Sequence, residues 1–417
     1  MTQGVLLMKN LKSKKVIITA SAAVVALILA VVLVTCASGR KSTIAFYGLG
    51  DAQVKGIESV IDSIAEQKHL HFEYIVYDSE KKLESQIPLS GKPRLLFTTS
   101  GYAVNTAVKD VPKKAGVSPE LTSGMTSSLR GAVKYNSDQT KITALPILSS
   151  HNEVDIETAA FRNSGMAAIN TWKDVEDFIR IQKRKVEYPV MFAGSEPSLF
   201  LDMLGSLTEA IEGAEAYGQA VEILKSGEKK FDAVKLADEL SANPDSPLIT
   251  TVKMLSNWYK LGYIHPGTFS FKMNDLEAFA QSKLVNVMFM PLENHRTFNQ
   301  DAISRFTSIY YPSSRTANSR VFTGKTIFAL PLSKAKDAET LVSALISKEN
   351  EEKLSRATGL APVLAQCRTP DKQADDARYW IAATAAPLAG LSNEVYLTKE
   401  QKTKLAAELA ARIRYGN

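Results

Sequence analysis

Cysteine is almost missing from this sequence. Cys36 and Cys367 are the two present in 417 residues, so no disulfide framework holds the fold together. Cys367 sits in an apolar stretch and reads as a packing residue rather than a nucleophile. Histidine is scarce as well, at five residues. His69, His71 and Glu73 share only loose ligand-like spacing, with no further His or Cys nearby in sequence, so no metal site is expected. The Gly-x-Ser-x-Gly nucleophile motif is absent. Gly48-Leu49-Gly50 lacks the third glycine of a dinucleotide fingerprint, because Gln53 stands there. Gly324-Lys325-Thr326 has Ser319 where a phosphate loop needs its first glycine, and a strand rather than a helix is expected to follow. Ser333 and Lys336 have the spacing of an acylating Ser-x-x-Lys pair, without its companion motifs. These absences point away from an enzyme and from any cofactor.

An excess of one charge is also lacking. Lys and Arg number 50 against 44 Asp and Glu, a net charge of +6. Lys9, Lys12, Lys14 and Lys15 fall in the first 35 residues, where there is no acid, which leaves +2 for the rest. A nearly neutral body gives no electrostatic case for binding nucleic acid. The same lysines precede an apolar run from Val16 to Val34, the order of an export signal. The run is also long enough to span a bilayer, so an uncleaved anchor is the alternative.

What is present is an α/β pattern. Ile44 to Tyr47 reads as a strand, and Val54, Ile57, Ile61 and Ile64 recur at helical spacing over about 51–67. A second strand over Phe72–Tyr77, a short helix over Ser79–Gln86 and a third strand over Arg94–Phe97 complete a unit of alternating strands and helices. Brief connections imply a parallel sheet whose ligands lie beyond the strands' carboxyl ends. Further on, helices are expected over Thr171–Gln182, Leu199–Ile211, Leu248–Leu261, Leu276–Ser282, Asp337–Leu354 and Thr398–Tyr415. Strands are expected over Tyr188–Ala193, Val285–Met290 and Thr326–Leu330. The stretch from Lys141 to Asp155 is the candidate hinge. Pro146 removes a ladder hydrogen bond, so two short strands joined by a kink are expected there, leading from one lobe into another.

The order of these pieces resembles the extracellular solute-binding proteins of ABC importers, the family that includes many sugar binders. Thr143-Ala144-Leu145-Pro146 with the polar turn after it resembles that family's first crossing between lobes. Thr171-Trp172-Lys173-Asp174 is similar to its helix start, and Trp258 through Ile264 to its helix ending in Gly-Tyr-Ile. Phe279-Ala280-Gln281-Ser282-Lys283 before Val285 resembles the segment leading to its ligand strand. Thr326–Pro331 and Gly359–Val363 resemble its return through the first lobe. Leu33-Val34-Thr35-Cys36 resembles a bacterial lipobox, which implies a lipidated Cys36.

The resemblance implies a two-lobed, type II periplasmic-binding-protein-like fold, each lobe a mixed, mostly parallel sheet flanked by helices and joined by hinge strands. It divides the chain into a signal peptide (1–35), a tether (36–43), a first lobe (44–146 with 327–365) and a second lobe (150–325 with 368–417). It also implies a monomeric receptor, held on the extracytoplasmic face of a membrane by its lipid. The receptor would take a small polar solute, a sugar or oligosaccharide among the candidates, to an ABC permease. The alternative is a bilobal surface lipoprotein serving adhesion or signalling. Candidate ligand contacts are Tyr47, Asp51, Ser100, Tyr102, His151, Asn152, Glu153, Ser195, Glu196, Glu293, Asn294, Thr323, Lys325 and Trp380. Where the family's ligand strand often ends in Gly and Trp, Pro291-Leu292-Glu293-Asn294 stands here. A stacking ring would then come from Tyr47, Tyr102, Phe200 or Trp380.

Overall fold

The structure, a computed structural model, describes residues 42–313, 320–321, 323–368 and 388–416. The chain first lays down β1 (Ser42–Tyr47), β2 (Phe72–Val76), β3 (Leu95–Thr99), β4 (Lys134–Tyr135) and β5 (Ile142–Ser149). It crosses over to build β6 (Asn152–Glu157), β7 (Val190–Phe192), β8 (Val287–Pro291) and β9 (Phe306–Ile309). It then returns as β10 (Thr326–Pro331) and β11 (Ala361–Pro362). The first sheet has seven strands in the order β11-β5-β10-β3-β1-β2, with β4 added on β5. The second has four, in the order β7-β8-β6-β9. Parallel pairing holds where a helical crossover separates the strands, as between β1 and β2 and between β1 and β3. The return strand β10 enters antiparallel between β3 and β5.

Each sheet is covered by helices whose apolar spacing is visible in the sequence. Helix α1 (Asp51–Lys68) turns Val54, Ile57, Val60, Ile61 and Ile64 onto Ile44, Phe46, Leu95 and Phe97. Burying each such side chain stabilises by roughly 1.5–3 kcal/mol. In the second lobe the covering helices are α2 (Trp172–Gln182), α3 (Pro197–Glu212), α4 (Ala214–Gly227), α5 (Ala233–Ser241), α6 (Ile249–Lys260) and α7 (Met273–Gln281). Helix α2 starts on a reciprocal cap: Thr171 Oγ1 accepts from Asp174 N, and Thr171 N donates to the Asp174 carboxylate. That cap aims Trp172 inward, where its ring lies 6.0 Å from Trp258 and 6.2 Å from Tyr311, stacked nearly parallel to both. Then come α8 (Leu292–Thr297), α9 (Lys336–Leu345), α10 (Lys348–Thr358) and α11 (Lys399–Tyr415). Helix α11 packs back on α3, α5 and α6 of the second lobe. No helix among the described residues is long and apolar enough to cross a membrane.

Four local expectations are corrected. Strand β5 runs unbroken through Pro146. On one side its pairing with β10 carries a bulge, with Ile147 of β5 as the extra residue, as the partners step from Leu148 to Pro146 between Ile327 and Phe328. On the other side β4 stops at Ala144 and β11 begins at Leu148, so no strand faces Pro146 and its missing donor leaves no acceptor stranded. The chain leaves the sheet later, at Ser150–His151. The expected helix over Asp337–Leu354 is two helices, because Ser347 caps α10 by accepting from Asn350 N. The helix expected over Ser79–Gln86 shrinks to one 3₁₀ turn at Leu83–Ser85. Helix α8 occupies the segment read as a plain strand end, and α4 and α5 were not anticipated.

One buried acid gives a stability test. Glu209 on α3 has a buried carboxylate oxygen with no hydrogen-bond partner, and burial lifts its pKa from 4.5 to about 8. The folded state therefore holds a proton that the unfolded chain releases. Stability from this group is complete below the unfolded value and is lost as pH rises through the folded one. Glu209→Gln should match the parent's melting temperature near about pH 4 and exceed it near about pH 9, by thermal denaturation at both.

Candidate functional site

The two sheets meet where three segments cross between them. The first is Ser149–Asn152. The second runs through Gly324 and Lys325 into β10, and Ser150 N donates to Lys325 O at 2.6 Å. The third reaches Leu388–Ala389, which pairs in parallel with Thr323–Gly324. A Cβ on Gly324 would collide with the Ser150 carbonyl, so this approach requires glycine.

Above these crossings lies a polar cavity of about 240 Å³. The first lobe contributes Gly48–Gly50 at the carboxyl end of β1, and Ser79. The crossings supply Ser150, Asn152, Gly324 and Lys325. The second lobe contributes the start of α3 with Asp202, Pro291 and Glu293, Ser392 and Asn393, and Lys402 of α11. The cavity continues into a wider hollow of about 690 Å³ that shares Ser79, Ser198, Leu199 and Lys402. Small-molecule sites of ~300–1,000 Å³ with a few converging polar groups are the rule.

The polar groups are held by their neighbours. Ser150 Oγ donates to Glu293 Oε2, and Lys325 Nζ lies 3.8 Å from Glu293 Oε1. Asn152 Nδ2 donates to Ser206 Oγ at 2.9 Å. Asp202 accepts from Ser392 N at 2.7 Å, and burial pushes its carboxyl above the usual range. A Cβ at Gly390 would strike that carboxylate, so the turn before Ser392 can wrap it only with glycine. Burial pulls Lys402 below the usual amine range, against the pull of Asp202. The two helix N-termini at Gly50–Asp51 and at Pro197–Leu199 also border the space. The arrangement offers acceptors and donors in balance, which suits a ligand rich in hydroxyl groups.

The lobes also touch across the cavity's outer rim. Tyr396 donates its hydroxyl to Glu80 O at 2.6 Å, and Lys399 N donates to Glu80 Oε2 at 2.8 Å. Lys82 Nζ pairs with Glu228 Oε1 at 2.6 Å, and the Tyr102 and Tyr396 rings stand 5.4 Å apart. These contacts join the two lobes at the rim.

The residues named from sequence divide accordingly. Asn152, Glu293 and Lys325 line the cavity, and Ser195 and Glu196 line the adjoining hollow. Glu196 accepts from Met273 N there, and Ser195 donates to Phe271 O. Tyr47 is buried below the β1 loop with its hydroxyl on Lys81 O, and Asp51 is exposed on the first turn of α1. Ser100 fastens the end of β3 to Thr326 by two hydrogen bonds. Tyr102 stands at the rim, donating to Glu84. His151 is buried with its carbonyl on Leu292 N, and Asn294 lies within α8. The Thr323 backbone is in the ladder with Leu388. Trp380 and Cys36 lie outside the described residues. Phe200 is no stacking platform: it is buried in the core, its ring stacked on Phe192 at 5.8 Å.

Glu153 is fully buried beneath the crossing, with Asp155 and His295. Burial pushes Glu153 up to about 7. Burial pulls His295 down, but the Asp155 and Glu153 carboxylates outweigh it and hold the imidazole at about 10.

Asp202 and Lys402 are cavity residues that sequence reading missed. Asp202 interrupts the apolar run Leu199–Leu204, an oddity that would have marked it. Lys402 belongs to a run of lysines that reads as a solvated face.

No protein-family model matches the chain, and no curated protein matches it. Solved structures do. The bacterial solute receptor AcbH, with an exclusive preference for β-D-galactopyranose, superposes with a TM-score of 0.67 at 11% identity, over 91% of this chain and 94% of that one. The binding protein MsmE of Bacillus subtilis, in an open conformation, gives 0.67 at 16% identity, over 89% and 93%. A sugar transporter protein of Bacillus licheniformis, in complex with stachyose, gives 0.61 at 11% identity, over 89% and 94%. The chain therefore has the two-lobed α/β fold of the periplasmic-binding-protein-like solute receptors.

Proposed function

We propose that this chain is a non-enzymatic solute receptor. It captures a small polar ligand, of saccharide type, between its lobes and presents the closed form to an ABC permease. The observation that carries this reading is the polar cavity built jointly by both lobes and the crossings. A ligand that touches both walls favours closure by its differential affinity for the closed state. The lobe limits drawn above (44–146 with 327–365, and 150–325 with 368–417) belong to the same reading. So do the monomeric state, export through residues 1–35 and tethering by a lipid on Cys36. Adhesion or signalling alone gives no role to such a cavity. The mixed carboxylate, amide and amine lining, with no aromatic residue among the described residues that form it, favours hydrogen bonding over ring stacking.

A thermal-shift screen of neutral and charged oligosaccharides, amino acids and polyamines tests the reading. A bound solute raises stability by mass action, ~2.7 kcal/mol at a hundred times its Kd. At least one saccharide should raise the melting temperature. Lys402→Met should weaken that ligand about tenfold or more without lowering the melting temperature of the free protein. No shift across the panel, with nothing co-purifying, overturns the proposal. Paired Glu80→Ala and Tyr396→Ala changes should raise the radius of gyration of the free protein in solution scattering, because they remove the rim contacts. Fatty-acid labelling should disappear in Cys36→Ala, and label that persists removes the anchor.

A further inference from the structure

Strand β6 alternates in an unusual way. Val154 and Ile156 face the main core of the second lobe. Glu153 and Asp155 face the opposite side of the sheet, opposite Met290 and Met288 of β8, and both are 0% exposed. That side is itself an apolar layer containing Met191, Met288, Met290, Phe298 and Phe306. Two carboxylates are thus enclosed among methionines and aromatic rings. His295 of α8 and Ser308 of β9 reach them. His295 Nδ1 is 2.6 Å from Asp155 Oδ1 and 3.4 Å from Glu153 Oε2, and Ser308 Oγ is 2.9 Å from Asp155 Oδ1.

The donors present do not satisfy this cluster. Both oxygens of Glu153, and Oδ2 of Asp155, are buried with no hydrogen-bond partner. A buried carboxylate without partners is strongly disfavoured unless something neutralises it. Two carboxylates and an imidazolium still leave one negative charge. Two carboxylates, a neutral imidazole and one divalent cation leave none. The donor atoms are also close enough to share an ion: one from each of Glu153, Asp155 and His295 lies within 4.8 Å of the others.

We propose that Glu153, Asp155 and His295 form a buried binding site for a divalent cation of the zinc class. One imidazole nitrogen with two carboxylates is a donor set suited to Zn²⁺, whereas Ca²⁺ and Mg²⁺ favour all-oxygen shells with more ligands. Ser308 hydrogen-bonds Asp155 from beside the site and orients it. The position gives the ion a task. Helix α8 carries both His295 and Glu293, and Glu293 takes the hydrogen bond from Ser150 at the crossing. An ion on His295, Glu153 and Asp155 ties α8 to the first residues of β6, and so fixes the cavity floor relative to the hinge.

The test uses the full chain without an affinity tag, stripped with EDTA and dialysed against ZnCl₂. Elemental analysis should find about one zinc per chain, and zinc should raise the melting temperature of the stripped protein. Both effects should disappear in His295→Gln and in Asp155→Asn. Both should persist in a His69→Ala, His71→Ala control, which removes the paired histidines elsewhere. If the buried variants fail to fold, Co²⁺ added to the stripped parent supplies the second measurement. A visible band of a low-coordinate nitrogen and oxygen site supports the proposal. Spectra of hydrated Co²⁺ only, zinc retained by a folded His295→Gln, or a parent that takes up no zinc overturns it. The last result would assign the neutralising charge to protons.

Discussion

The contact of Gly324 with the backbone of Ser150 is what the rest of the cleft depends on. Because no side chain separates them, two crossing segments run side by side as a short ribbon. Ser150 N bonds Lys325 O within it, and Gly390 N bonds Gly324 O to add the third segment alongside. A ribbon of this kind can bend without parting its hydrogen bonds, which is what a hinge between two rigid sheets requires. It also supplies cavity groups directly, since Ser150 and Lys325 both meet Glu293. In the function proposed above, recognition and bending are therefore assigned to the same few residues.

The cavity's electrostatics follow from that economy. Asp202 and Lys402 are pushed toward their neutral forms by burial, and each is supported by the other's field. Groups held in this way are poised to exchange hydrogen bonds with an incoming polar molecule rather than with bulk water. The rim contacts through Glu80, Lys82 and Tyr396 are exposed and weak by comparison. They close the space without locking it.

Much of the scaffold was legible in the sequence, because helix periodicity and caps are local. The spacing of Val54, Ile57, Ile61 and Ile64 and the helix expected over Thr398–Tyr415 translate directly into α1 and α11. Pro146 misled for a physical reason. The cost of a missing donor depends on what lies opposite, and that is decided by where the pairing of Lys134–Tyr135 stops and that of the far-off Ala361–Pro362 begins. The site was legible only in part. Asn152, Glu293 and Lys325 follow turn signals at strand ends, whereas Asp202 and Lys402 sit on helices whose inward faces are set by packing. The contact of Asp155 with His295 spans 140 positions, beyond any spacing rule.

The repeated crossings also govern how the chain can acquire its structure. Strand β10 fills the middle of the first sheet, between β3 and β5, yet it follows the whole of the second sheet in sequence. The second lobe likewise waits for α11 to cover α3, α5 and α6. Neither half can finish before nearly all the chain is available, so maturation is governed by long-range closure rather than by one half folding ahead of the other. A chain emerging end-first, from a ribosome or through a narrow pore, would stay incompletely packed for most of its passage. Its exposed β3 and β5 edges would then be the surfaces most in need of protection until β10 arrives.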